Sequence, residues 1–310
     1  MSRKELAFFS AILLILGAGW GITSPLSKIA VSTGYQHFGL IFWQMVVGAL
    51  CMAVIQALRG RARLPLRARA LKVYVIIALI GSVIPNTASY QAIAHLPAGV
   101  MSVLLSTIPM LAFPIALALG VERFSALRLA GLGLGFAGVM LLVLPDASLP
   151  EAAMLAWIPV AMIPALFYAF EGNYVARWGT EGLDAIEVLY GASIVGALIA
   201  LPLALGAGQF ITPLKPWGAP DWALVASSAI HVMVYAGYVW LVGRAGPVFA
   251  VQVSYLVTGF GVIWAMLILS ETYSPWFWAA MALILLGVCL VQPRRAETLE
   301  AGPAMGETGR

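Results

Sequence analysis

VERFSALRLAGLGLGFAGVMLL at 121–142 and SETYSPWFWAAMALILLGVCLV at 270–291 are two versions of one segment, 149 residues apart. Seven of the twenty-two positions coincide: Glu122/Glu271, Ser125/Ser274, Ala130/Ala279, Leu134/Leu283, Gly138/Gly287, Val139/Val288 and Leu141/Leu290, with Phe124/Tyr273 a further aromatic match. Apolar segments match easily by chance, so the charges carry more weight. Arg123 and Arg128 of the first copy become Thr272 and Phe277 in the second. If each copy spans a membrane an odd number of times, the second lies upside down. Its loop then faces the side from which basic residues are depleted. The segment thus points to an inverted internal repeat, an organisation that places a solute site between the halves near the bilayer midplane.

The rest of the 310-residue chain agrees. It is 62% hydrophobic and 10% charged, against about 25% charged in soluble proteins. Its charges sit in short gaps between apolar runs of about twenty residues, the length a helix needs to cross ~30 Å of hydrocarbon. Ten such runs are expected, near 6–30, 38–58, 73–94, 98–119, 126–144, 155–177, 185–206, 222–242, 247–269 and 276–292. With the N-terminus in the cytoplasm, fifteen of the seventeen basic residues fall on that side; Lys28 and Lys215 are the two outside. Arg59, Arg61, Arg63, Arg67, Arg69 and Lys72 crowd one loop. The expected fold is therefore an all-α membrane protein with ten transmembrane helices, built as two inverted five-helix repeats with both termini cytoplasmic. Residues 1–145 form the first repeat, 154–292 the second, and 293–310 a disordered cytoplasmic tail. The first run continues from Leu6 past Trp20, too long for a cleaved leader, and is read as a retained span.

Several function classes drop out. The clustered arginines are an orientation signal, so the basic balance implies no nucleic-acid partner. Cys51 and Cys289 lie within apolar runs and read as packing residues, and neither a metal nor a cofactor is expected. No nucleophile elbow, paired aspartates or His-Glu-x-x-His occurs, which leaves an intramembrane enzyme only a Glu171/His231 pair to work with. No charged ring or filter-like loop supports a channel.

Polar residues inside apolar spans face the protein interior or a wet cavity. Ser82, Asn86 and Tyr90 share a face of span three; Ser228, His231, Tyr235 and Tyr238 share one of span eight. Span one offers Trp20, Ser24 and Ser27; span six Phe167, Glu171 and Tyr174; span nine Gln252, Tyr255 and Gly259. Spans two, five, seven and ten are nearly featureless apart from Gln44 and Glu187. The candidate substrate-binding residues are Trp20, Ser24, Asn86, Tyr90, Phe167, His231, Tyr235, Gln252 and Tyr255, with Lys28 and Glu171 as possible coupling or cavity-mouth groups. Aromatic walls suit apolar or cationic solutes, and Asn86, Gln252 and His231 would orient polar ends. Each residue also has a plainer reading: serines bond to their own helix, tyrosines anchor interfaces, lysines snorkel, a mid-span histidine pairs with a neighbour. Gly131, Gly135 and Gly138 read as close helix packing. Glu122 and Glu271 read as holding the turns into the next helices.

Trp20-Gly21 with Lys28, Tyr90-Gln91-Ala92 leading into Pro97-Ala98-Gly99, Pro109, Gly120-Val121-Glu122-Arg123 and Ser270-Glu271 together resemble the drug/metabolite transporter superfamily, specifically its EamA-type ten-helix exporters. Gln44 stands where members often carry arginine, and Thr258-Gly259 where the second half often has proline. The resemblance implies a cavity between spans 1, 3, 4, 6, 8 and 9, opened alternately to each side, in a multi-pass protein of the cell inner (plasma) membrane. It is most similar to exporters of aromatic and other apolar amino acids. A drug, nucleoside or sugar transporter of the same fold is the alternative. Its partners would be a small-molecule substrate and the lipid bilayer, with the protein a monomer or weak homodimer.

Overall fold

The computed structural model describes residues 3–61, 64–143 and 151–291. Arg63, the 145 boundary of the first repeat, the 292 boundary of the second and the expected tail at 293–310 lie outside them. Every regular element among the described residues is helical. Eight helical runs are long and apolar enough to cross a membrane: α1 (Arg3–Val31), α2 (His37–Leu58), α3 (Ala68–His95), α4 (Ala98–Ala118), α5 (Ala126–Val143), α6 (Ala152–Trp178), α7 (Ala185–Gly206) and α8 (Ala219–Ala245). Two shorter apolar helices follow, α9 (Val253–Leu269) and α10 (Pro275–Val291). At ~1.5 Å per residue each is close to the thickness of a bilayer core.

Proline explains where the rods bend. It has no N–H to give and its ring crowds the carbonyl four residues back. In α1 the helix breaks at Ile22, between Arg3–Gly21 and Thr23–Val31, just ahead of Pro25. In α3 a π-helical turn, Leu79–Val83, precedes Pro85. In α4 the break falls between Leu105 and Ile108, ahead of Pro109, and the hydroxyls of Ser106 and Thr107 turn back onto Val103 and Leu104 carbonyls. The chain thus interrupts α1, α3 and α4, whereas Ile158–Trp178 of α6, despite Pro164 within it, and Ala219–Ala245 of α8 run unbroken.

The repeat is visible in the packing of α5 on α10. A methyl group on Gly138 would stand 2.9 Å from the Ala280 carbonyl, and one on Gly287 would meet the Gly131 carbonyl at 2.5 Å. Gly138 corresponds to Gly287 and Gly131 to Ala280 in the 149-residue register, so the two contacts exchange when the halves are exchanged. The helices run antiparallel, because low numbers on one meet high numbers on the other. The Gly131, Gly135 and Gly138 stripe is spent on closing this pair within the chain.

Other pairs follow the same rule. Helix α1 packs on α8 and α9, as α6 packs on α3 and α4; α2 packs on α7. One end of the bundle is basic: Arg59 and Arg61 meet Asp184 at 2.6 and 2.9 Å, and Arg67 donates to the Glu181 carbonyl. Asp184 also caps α7 by accepting from the Ile186 and Glu187 backbones, both at 2.9 Å, while the Glu187 side chain returns a bond to the Asp184 N–H. At the opposite end Tyr35 donates to Asp221 at 2.8 Å and Lys215 pairs with it at 3.1 Å.

Candidate functional site

Trp20 sits at the break in α1, where its ring is turned toward α8. Its indole Nε1–H donates to His231 Nδ1 at 3.0 Å. Since indole only donates, Nδ1 here is an acceptor, which fixes the neutral imidazole with its proton on Nε2. The rings of Tyr235 and Tyr238, one and two turns further along α8, lie 6.4 and 5.8 Å from the Trp20 ring, the Tyr235 pair edge-on. The i, i+4, i+7 spacing of His231, Tyr235 and Tyr238 produces this wall, because such residues share a helix face.

A second wall stands on α3 and α6. Tyr168 donates to Asn86 Oδ1 at 3.3 Å, and Tyr90 to Gln44 Oε1 of α2 at 2.8 Å. Glu171 lies one turn beyond Phe167 and Tyr168, with its carboxylate against the π turn of α3. A methyl group on Gly81 would stand 2.5 Å from Oε1 and 2.8 Å from Oε2, so any side chain there would push the carboxylate aside. Glu171 lies within electrostatic range of Tyr168 and of Tyr235 on the first wall. Among the described residues no cation and no hydrogen-bond donor pairs with this carboxylate. Trp20, Asn86, Tyr168, Glu171, His231 and Tyr235 all remain partly accessible to water although they lie mid-helix. Open space therefore adjoins each of these side chains, and the region they border is called the hollow.

Trp20, Asn86, Phe167, Glu171, His231 and Tyr235 are therefore neighbours across this hollow or on its walls. Tyr90 is nearly buried, held by Gln44. Ser24 lies one turn past Trp20, beyond the break. Gln252 is exposed at the start of α9, near the basic end, and Tyr255 turns its hydroxyl toward Cys289 of α10; neither joins the cluster. Tyr168 and Gln44 were missed as candidates. Tyr168 falls off the Phe167–Glu171 row but is three residues from Glu171, a spacing that would have flagged it. Gln44 had only its isolation on an apolar helix as a signal.

Lys28 is committed elsewhere. Its ammonium donates to the carbonyls of Ile93, Ala94 and Leu96 at 2.8, 3.2 and 3.0 Å, capping the C-terminus of α3. Glu271 does the converse at the next helix start, accepting the N–H groups of Ala98 at 2.8 Å and Gly99 at 3.2 Å, with Tyr273 donating to it. This corrects the sequence expectation, which placed Glu271 on the start of its own following helix. The two groups fasten α1 and α9 to the α3–α4 turn and seal this end of the hollow. Above the cluster Gly21 meets Gly261, and Ser102 fills the space beside Gly261.

The basic end is different. The 149-residue register makes Arg177 the counterpart of Lys28 and Glu122 that of Glu271. Yet Arg177 lies over the Trp178 ring at 6.0 Å, and Glu122 pairs with Arg128 at 2.9 Å. Among the described residues neither bonds to the α8–α9 turn. The N-terminal half of α1 packs on α8 and α9 without substantial contact to α4 or α6 among the described residues. The hollow is thus latched at one end and unlatched at the basic end. A separate recess of about 290 Å³ opens between α4, α5 and α6, lined by Phe113, Glu122, Arg128, Tyr168 and Asn173 among others. It shares only Tyr168 with the aromatic cluster. Among the described residues no group of three or more His, Cys, Asp or Glu could hold a metal ion.

Known proteins resemble this arrangement over its whole length. The chain is 23% identical over 299 residues to the uncharacterized transporter YvbV of Bacillus subtilis (strain 168), covering 95% of this chain and 93% of that protein. A solved crystal structure, 20% identical, superposes with a TM-score of 0.59 over 94% of this chain and 98% of its own, a likeness of fold alone. The model of the EamA-like transporter family matches twice, at residues 8–144 and 155–292. With a hollow between two matching halves, the chain is a multi-pass membrane transporter of small substrates, not an enzyme, and belongs to the EamA-like transporter family of the drug/metabolite transporter superfamily.

Proposed function

We propose that this protein exports small amphipathic metabolites, aromatic or other apolar amino acids foremost, by alternating access through the hollow between its halves. In this reading α9 and α10 cross the bilayer with the other eight, giving ten spans in two inverted five-helix repeats, 1–145 and 154–292. Both termini and the 293–310 tail lie in the cytoplasm, in the inner membrane. The positive-inside distribution supports that orientation, and the structure then corresponds to the state open to the cytoplasm. Trp20, Ser24, Asn86, Tyr90, Phe167, His231 and Tyr235 serve the solute and Gln252 stands at the cytoplasmic entrance, whereas Tyr255, expected to join them, packs against the core with its hydroxyl buried. Lys28 holds the outer closure rather than coupling a gradient. The protein acts as a monomer or weak homodimer.

The reading is supported by two bonded clusters, Trp20–His231–Tyr235 and Tyr168–Asn86, placed mid-helix beside the breaks in α1 and α3. An aromatic side chain stacks between such walls, and the Nε2–H of His231 and the amide of Asn86 reach its polar end. The wall residues are few and fixed by mutual bonds, as a pre-formed site requires. Uptake of labelled amino acids into liposomes containing the purified protein, with and without a pH gradient, tests it. Saturable uptake of phenylalanine, tryptophan or leucine supports the reading, provided that Trp20→Ala and His231→Ala impair it while the protein still inserts. Wild-type rates in both variants would refute this placement of the site. Movement of nucleosides or sugars alone would refute the amino-acid assignment.

A further inference from the structure

The two walls leave one strong chemical demand unmet. Glu171 sets its carboxylate against the π turn of α3 at the edge of the hollow, and among the described residues no lysine, arginine or histidine pairs with it. The nearest basic group along its own helix, Arg177, is directed over Trp178 instead. An ionised carboxylate withdrawn from bulk water and left unpaired is costly, and the cost is relieved by a cation brought to it. Its surroundings suit an organic cation. Tyr168 lies one turn before it on α6, Tyr235 of α8 is within electrostatic range, and the Trp20 ring lies 6.4 Å from that of Tyr235. Aromatic faces attract ammonium groups and stack on apolar bodies. The absence of a side chain at Gly81, in the π turn of α3, gives the carboxylate its place, and single π turns within α-helices recur at functional sites.

We propose that Glu171 anchors the protonated amine of the transported solute, so that the substrate class is small cations and zwitterions carrying an apolar or aromatic group. This deepens the transport reading above and rests on it for the path of the solute. It differs in assigning recognition to charge: a solute with the same apolar body and no amine is the wrong substrate. Trp20, Tyr168 and Tyr235 then set the apolar half of the specificity, and Glu171 the polar half.

The test uses the full-length protein and four probes: 2-phenylethylammonium, phenylalanine and the N-acetyl derivative of each. Titration calorimetry on wild type is expected to show both amines binding about tenfold or more tightly than their acetylated forms. In Glu171→Gln that preference collapses while binding of neutral N-acetyl-2-phenylethylamine is unchanged, and Glu171→Asp restores part of it. Unchanged melting temperatures of both variants exclude misfolding. An amine preference that survives in Glu171→Gln overturns the proposal. Uptake into liposomes with no preference for amines overturns it too and leaves the transport reading standing. Glu171-dependent binding without uptake of any probe supports the anchor and overturns transport of these solutes. If wild type binds no probe, both fall.

Discussion

Replacing Lys28 by methionine removes one of the two fastenings at the end of the bundle away from the basic loops and leaves that of Glu271 in place. The ammonium makes three hydrogen bonds, 2.8–3.2 Å long, to carbonyls at the C-terminus of α3. A hydrogen bond from a charged group contributes ~1.5–3 kcal/mol net, and a cation on a helix C-terminus ~0.3–1 kcal/mol, part of the same interaction. The three bonds share one charge, and the site lies near an aqueous surface, so about 2 kcal/mol is the fair figure for the set. In the proposed cycle these bonds exist only while the outer end is closed, so all of it biases that equilibrium. At ~1.4 kcal/mol per factor of ten, the ratio of outward-open to outward-closed protein rises roughly 30-fold. Spin labels at Thr33→Cys and Ala94→Cys, two exposed positions on either side of the contact, read that ratio by electron–electron distance measurement in liposomes. The background would replace Cys51 and Cys289 with serine. Lys28→Met should enlarge the long-distance population and Lys28→Arg should resemble wild type. A distance distribution in Lys28→Met identical to wild type would show that Lys28 merely caps a helix and latches nothing.

Glu122→Gln is expected to act in the opposite direction to Lys28→Met. If Glu122 leaves Arg128 to cap the α8–α9 turn when the basic end closes, the variant populates the inward-open form, and the same label pair reports a smaller long-distance fraction. Gly287→Val drives a side chain into the Gly131 carbonyl; overpacking of this kind costs ~1–3 kcal/mol, read as a lower melting temperature in detergent, whereas Gly133→Ala, with open space around it, should be near neutral. Asp184 gives a pH effect outside the spans. Partial burial pulls its carboxyl upward, but the Arg59 hydrogen bond and the Glu187 and Ile186 N–H donors outweigh this and hold it below the usual carboxylate range. Because the folded value is depressed, its contribution is full above the unfolded value near 3.8 and disappears as pH falls through the folded one. Asp184→Ala should therefore lose stability at pH 7 by about 1 kcal/mol, chiefly the cap, and the gap from wild type should narrow below pH 4. A gap that stays constant down to pH 3 would refute that account.

The aromatic and polar rows were legible because helical spacing alone places His231 with Tyr235 and Asn86 with Tyr90. Their partners across the hollow were not. Nothing in the order of residues says that Trp20 donates to His231, 211 positions away, or that Tyr168 rather than Tyr90 bonds Asn86. Gln252 and Tyr255 obeyed the same periodicity and yet fell outside the cluster, because period fixes a face but not what that face meets.

The amino-acid sequence by itself determined the solvent, the helical class and the internal repeat, since apolar length, charge placement and the Glu122/Glu271 register are properties of the chain read one residue at a time. The tertiary structure alone decided which of two equivalent ends is fastened. Lys28 and Glu271 engage the α3–α4 turn while their counterparts Arg177 and Glu122 stay away from the α8–α9 turn, although the repeat offers both arrangements. The physical reason is that the register places a basic and an acidic residue at both ends alike, so local preference is the same at each and only contacts between distant segments distinguish them.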